Sequence, residues 1–298
     1  MSLGESKSEV VGSLSQKTQK FYKLTLYTRI YLGIGSAFLV YGLSVLPGFE
    51  FTAILGVAVF ASMFAVYAMN RKSDIQEDEA NLEFGGAKLA ERTYRLGVLC
   101  LLISVIAAFL INVYVLTAVL IFLGMLSAYS FRLLPSFLPY QRLKEIPFVK
   151  NIVVGSGVAL VFIVGALVQE PLTLSLLVLG MFVFLALRVL IGSVIPDIRD
   201  IEGDKKAGVK TVPVIYGVTW TKNFLLLVNL IATVIYFWMI YANYLPFEAV
   251  LAGLVNFPTF LLIIKTNEEN ADKLTLVSEM NTCFTLPILL IAGFLLMT

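Results

Sequence analysis

Two short acidic stretches hold the residues best suited to chemistry. One is IPDIRDIEGDKKAG, residues 195–208, which sets Asp197, Asp200, Glu202 and Asp204 directly after the apolar run FLALRVLIGSV. The other is NRKSDIQED, residues 70–78, in which Asp74 and Asp78 repeat the spacing of Asp200 and Asp204. On a helix, Asn70, Asp74 and Asp78 fall within about 80° of one another, and Asp197, Asp200 and Asp204 within about 60°. Each set makes one acidic stripe. Like charges one turn apart repel, and a nearby low-dielectric slab strengthens the repulsion, so something positive belongs between them. A solvated face paired with Lys72, Lys205 and Lys206 is the plainer way to supply it. Two matched stripes on one side of a membrane favour a metal cradle instead. Oxygen-only ligands select magnesium, manganese or calcium over zinc. Magnesium typically takes one or two carboxylates and fills its other positions with water and substrate phosphate. Two facing stripes could hold two Mg2+ ions bridged by a diphosphate, whose charge the metals neutralise as it leaves.

The elements that must position these acids are membrane helices. Hydrophobic residues make up 59% of the 298, charged residues only 14%, and mean hydropathy is +0.89, far from an ordinary soluble domain. Apolar stretches of roughly 17–25 residues give nine spans, at about 27–46, 51–69, 94–111, 113–133, 151–168, 173–195, 222–242, 248–265 and 278–297. Every one of the 22 Lys and Arg except Arg188 falls in the N-terminal segment, in loops after even-numbered spans, or at their edges. The positive-inside bias then places the N-terminus and both acidic stretches in the cytoplasm and the C-terminus outside the cell membrane. The polar first twenty residues hold no apolar core with a cleavage site, so no removable signal peptide is expected. The reading is one domain over 1–298, with a polar segment at 1–22 and related halves at about 23–134 and 150–298.

The chain contains no His, which excludes imidazole ligation of haem or zinc and His acid/base catalysis. Cys100 and Cys283 lie in apolar runs and are expected to pack quietly. A diphosphate handled within a membrane is expected to be lipidic, and ionising its allylic carbon requires a dry pocket. Some of the 22 Phe and 13 Tyr would line that pocket, because aromatic faces stabilise passing cations. Arg188 is the one basic residue well inside a span. It lies on the opposite helix face from Asp197 and roughly 13 Å deeper, which leaves open a cavity-facing contact or an interhelical hydrogen bond.

With these residues in place, the chain resembles the UbiA superfamily of intramembrane aromatic prenyltransferases. That family's first signature, NDxxDxxxD, is matched by NRxxDxxxD at 70–78. Its second, DxxDxxxD, is matched by DIRDIEGD at 197–204. Its YxxxK element is matched by YQRLK at 140–144. The resemblance implies an all-α, nine-helix fold around a central cavity, closed by cytoplasmic capping loops at 79–93 and 205–221. It implies Asn70, Asp74, Asp78, Asp200 and Asp204 as magnesium-site residues with Asp197 as the catalytic carboxylate beside them. Tyr140 and Lys144 would bind diphosphate, and Arg71 and Lys72 are candidates for the same task by position. Arg71 stands where the family usually has aspartate, and it could pair with diphosphate or neutralise Asp74. The implied activity is Mg2+-dependent transfer of a polyprenyl group, such as geranylgeranyl, from its diphosphate to an aromatic or lipid-alcohol acceptor. Membrane lipids surround the chain, and no nucleic-acid partner is expected. A phospholipid-type phosphotransferase would pack its aspartate pairs into a single stretch, which this sequence does not do. A cation transporter would set its acids near the midplane within broken helices, whereas these sit at helix ends.

Overall fold

The structure, a computed structural model, describes residues 16–45, 51–73, 87–137, 140–167, 176–207 and 209–297. Lipid offers no hydrogen-bond partners to a backbone, so a chain this apolar must satisfy its peptide groups within helices. The described residues do so: α1 (Gln16–Thr28), α2 (Ile30–Val45), α3 (Ala53–Ser73), α4 (Ala87–Ile111), α5 (Val113–Ser130), α6 (Val149–Leu167), α7 (Leu176–Arg199), α8 (Ile201–Ala207), α9 (Val212–Tyr241), α10 (Val250–Gly253), α11 (Asn256–Lys265), α12 (Ala271–Met280) and α13 (Leu286–Leu295). Among the described residues eight stretches are long and apolar enough to cross a membrane, and α2 is a shorter apolar helix. The chain is an all-helical polytopic membrane protein.

Several boundaries differ from expectation for local reasons. The expected first span breaks at Arg29, whose φ of 55° lies in the left-handed region and ends α1. The 16 residues of α2 rise about 24 Å, less than the roughly 30 Å hydrocarbon core. Where they are described, the expected capping segments are largely helical, α4 beginning at Ala87 and α9 at Val212. Within α9, Gly217 takes φ 79°, ψ 165° and kinks the helix, a conformation that glycine adopts at little cost. The last span passes from α12 to α13 through a π turn at Asn281–Thr285.

Helices in lipid associate through close packing and hydrogen bonds rather than through a hydrophobic drive. The core accordingly interlocks large buried side chains, among them Leu39, Phe122, Phe162, Phe184 and Tyr236. The Phe184 and Tyr236 rings lie 4.7 Å apart, and Tyr236 Oη donates to the Ala249 carbonyl at 2.9 Å. One close approach sets the geometry of the acidic end. A Cβ on Gly155 of α6 would lie 2.7 Å from the Ala186 carbonyl oxygen of α7, so only glycine lets these two helices meet this tightly.

Candidate active site

The acidic end is built where α3, α5, α6 and α7 terminate on one side of the bundle. Asn70, on the last turn of α3, accepts a hydrogen bond from Ser130 Oγ at the end of α5, at 2.9 Å. Beside it, Arg71 Nε donates to the Tyr27 carbonyl at 3.1 Å, and its guanidinium lies 5.1 Å from the centre of the Tyr27 ring. Lys72 continues the α3 backbone. Asp74 and Asp78 lie outside the described residues, as does the expected cap from 79 to 86.

Asp197, Asp200 and Asp204 follow a single helical path. The Asp200 N–H donates to the Pro196 carbonyl at 3.1 Å and the Asp204 N–H to the Asp200 carbonyl at 2.8 Å, so the hydrogen-bond ladder runs from α7 into α8. Their environments differ. Asp197 is 6% exposed and receives Lys150 Nζ at 2.7 Å and Asn151 Nδ2 at 3.4 Å. Asn151 Nδ2 also donates to Ser193 Oγ at 3.1 Å. Asp200 is held by both arms of the adjacent Arg199, at 2.7 and 2.6 Å, and Arg199 also reaches Asp272 at 3.2 Å. Asp204 Oδ2 is buried with no hydrogen-bond partner among the described residues. Burial pushes the Asp204 carboxyl up to about 6, and the neighbouring carboxylates of Asp197 and Asp200 add to the shift against the pull of Lys150 and of the nearby Thr211 hydroxyl, which makes no hydrogen bond within normal geometry among the described residues,.

Tyr140 and Lys144 lie between α5 and α6, with Lys144 in a 3-10 turn, Leu143–Glu145. The turn is tied by Glu145, whose carboxylate accepts the Gln141 N–H at 2.8 Å and Arg142 Nε at 2.7 Å. Burial works to raise the Glu145 carboxyl, but Arg142 and these N–H groups outweigh it and hold it below the usual carboxylate range. Tyr129 of α5 is within electrostatic range of Lys150 on one side and of Tyr67 of α3 on the other. Through it the ends of α3, α5, α6 and α7 share one polar region.

The donors are all oxygens, which fits a hard cation such as Mg2+. The buried, unpartnered Asp204 oxygen is the kind of atom that a bound cation satisfies. Among the described residues no group of three or more His, Cys, Asp or Glu could hold a metal ion.

The profile of the UbiA prenyltransferase family matches residues 30–283. The chain belongs to that family. As a UbiA-family chain it is 28% identical over 138 residues to a digeranylgeranylglyceryl phosphate synthase of Methanosphaera stadtmanae, covering 45% of this chain and 50% of that protein. To the enzyme of the same name from Thermococcus sibiricus it is 30% identical over 161 residues, covering 54% and 50%. The chain thus spans about half the length of the curated relatives it matches. Its fold is similar to that of an apo UbiA homologue from Aeropyrum pernix, with TM-score 0.66, 20% identity, and coverage of 89% of this chain and 97% of that one. It is also similar to a UbiA homologue from Archaeoglobus fulgidus bound to GPP and Mg2+, with TM-score 0.64, 15% identity, and coverage of 91% and 99%.

Three features were not legible from the motifs. Lys150 lies at the edge of the expected span 151–168 and Asn151 is its first residue, and neither belongs to a motif, yet both hydrogen-bond to Asp197. Glu279 of α12, nowhere near a motif, pairs with Arg29 and accepts from Tyr31 Oη. Arg188 makes interhelical hydrogen bonds, to Asn256 Oδ1 at 2.9 Å, Thr259 Oγ1 at 3.1 Å and Thr282 Oγ1 at 3.3 Å, which resolves the alternative left open by the sequence.

Proposed function

We propose that this protein is a Mg2+-dependent intramembrane prenyltransferase that moves a polyprenyl group from its diphosphate to a lipid alcohol. The observation that carries this reading is the DIRDIEGD helix end, which holds one buried carboxylate oxygen without a partner in a chain of the UbiA family. In this reading nine helices surround a central cavity in one two-halved domain, the acidic mouth faces the cytoplasm and the C-terminus lies outside. Asp200 and Asp204 would hold one Mg2+, and Asn70, Asp74 and Asp78 a second. When bound, the metals neutralise charge on the departing diphosphate. Tyr140, Lys144, Arg71 and Lys72 orient the diphosphate, and Asp197 is the catalytic carboxylate at the inner edge of the pair. Transfer breaks the bond between the allylic carbon and the diphosphate oxygen, forms one to the acceptor oxygen, and releases the acceptor's proton. A dry, helix-lined pocket keeps water from taking the acceptor's place.

The lipid-alcohol acceptor is favoured over an aromatic one because both named relatives are digeranylgeranylglyceryl phosphate synthases. The A. fulgidus homologue bound to GPP and Mg2+ supports the choice of donor and metal. The test is purified protein with geranylgeranyl diphosphate, Mg2+ and a panel of geranylgeranylglyceryl phosphate and aromatic acids, followed by mass spectrometry. Prenylated glyceryl phosphate is the expected product. A prenylated aromatic acid would overturn the acceptor, and no prenylated product from any acceptor would overturn the reaction.

A further inference from the structure

Lys150 stands at the acidic end without a part in any motif. It occupies the first turn of α6, and the tight Gly155 contact with α7 carries it to Asp197. Its ammonium has three N–H donors. One goes to Asp197 at 2.7 Å, and the described residues give the other two no hydrogen-bond acceptor. The pair is largely withdrawn from solvent, with side chains 16% and 8% exposed. Two acceptors beside it are also unspent: Asn151 Oδ1 and Asp204 Oδ2 are buried with no partner among the described residues. Asn151 touches Asp197 through its amide, and Asp204 is within electrostatic range of Lys150.

A buried ion pair placed only for stability is expected to have its remaining donors and acceptors satisfied, because each unmet one has a desolvation cost. Here, two ammonium donors and two oxygens around the pair make no hydrogen bond among the described residues. Donors left over on a cation suit an anion with several oxygens, whereas oxygens left over beside it suit a hydrated divalent cation. A diphosphate with its metal presents both.

Building on the prenyltransferase reading, we propose that Lys150 is a direct, metal-independent ligand of the substrate diphosphate, and that Asp197 competes with the diphosphate for it. Asp197 parks the ammonium before substrate binds and keeps it from drifting toward Asp204. On substrate entry Lys150 gives one or two of its N–H groups to diphosphate oxygens. The site therefore has a fixed positive charge besides its metals, and some affinity for diphosphate is independent of Mg2+.

The test compares Asp197→Asn with the Lys150→Met/Asp197→Asn double variant, which leaves no unpaired charge behind. Binding of inorganic diphosphate and of the unreactive geranylgeranyl thiolodiphosphate is measured by calorimetry on the full chain in detergent, in EDTA and in Mg2+. In EDTA, Asp197→Asn should bind diphosphate about threefold more tightly than the wild type, because the competitor for the ammonium is gone. The double variant should bind about tenfold or more weakly than the single, because a charge-assisted contact is lost. A purely structural pair predicts instead that both variants bind alike, and that outcome overturns the proposal. Asp197→Asn binding no more tightly than the wild type also overturns it. Should either variant fail to fold, Lys150→Arg against Lys150→Gln replaces it. Arginine should retain most of the Mg2+-free affinity and glutamine should lose it, while equal affinities overturn the proposal. A wild type that binds thiolodiphosphate in neither condition would overturn the prenyltransferase reading itself. Binding by the wild type that no change at Lys150 affects would overturn the lysine alone.

Discussion

The two acid-bearing helix ends look alike in sequence and are equipped differently in the fold. At the end of α7 and α8 each of the first two acids has a cation, Lys150 for Asp197 and Arg199 for Asp200, and the third has a buried oxygen to spare. At the end of α3 a cation occupies the signature itself, and Arg71 reaches back to Tyr27 of α1. A cation already in place lowers the repulsion that assembling a carboxylate stripe near lipid would otherwise carry. The end of α7 and α8 is thus preorganised by one cation from outside its motif, Lys150, and one from within it, Arg199, whereas the end of α3 uses a motif position to fasten the chain that precedes it.

The largest expected effect comes from breaking both ends. Asp74→Asn and Asp200→Asn should each lower prenyl transfer by about 10–100-fold, as changes to metal ligands and their supports commonly do. The double variant should be scarcely worse than the worse single, because residues acting as a unit are strongly non-additive. Losses that add in transition-state free energy would mean that the two ends do not share one site.

Gly155→Val tests whether the preorganisation of the α7–α8 end depends on the close meeting of α6 and α7. Its side chain would press on the Ala186 carbonyl and should cost about 1–3 kcal/mol, read as a lower melting temperature in detergent. If the same change leaves the Mg2+-free affinity for diphosphate intact, Lys150 reaches the site without that contact.

Acidity sharpens the comparison further. The folded Asp204 carboxyl is raised to about 6 from an unfolded 3.8, so the native state binds the proton more tightly. Its contribution to stability is fully present below about 3.8 and is lost as pH rises through about 6. Above that pH the bare carboxylate is a liability that a bound cation relieves. The thermal stabilisation by Mg2+ should therefore be larger at pH 7.5 than at pH 5, and Asp204→Asn should flatten this difference. An equal shift at both pH values in the wild type would remove Asp204 from the metal site.

The smallest effect is expected at Arg71. Lys in its place keeps the charge but loses the planar stacking on Tyr27, at a cost of about 0.5–1 kcal/mol. A raised KM for the prenyl diphosphate would support Arg71 as a substrate ligand. An unchanged KM would leave it as the fastener of α1.

The membrane class and the helical path of the acids at 197–204 could be read from the sequence because lipid permits few ways to satisfy a backbone and because these acids are spaced by helical turns. The breaks at Arg29 and Gly217 could not, since hydropathy does not register a single left-handed residue. Lys150 was hidden for a different reason. A basic residue at a helix end is what topology alone would put there, and its contact with Asp197 depends on how closely α6 and α7 meet, which spacing along the chain does not register. Arg188 stood out by its depth, but its partners come from α11 and the π turn, far along the chain, where spacing carries no information.

The pairing of Arg29 with Glu279 joins the first membrane helix to the last, across a sequence separation of 250 residues. During synthesis the arginine therefore emerges long before its carboxylate exists. A nascent chain at that stage has an unsealed edge between α2 and the place that α12 will take. Only the synthesis of α12 supplies Glu279, so a product truncated before α12 would display Arg29 without its carboxylate, a mark by which quality-control proteases could distinguish unfinished chains from finished ones.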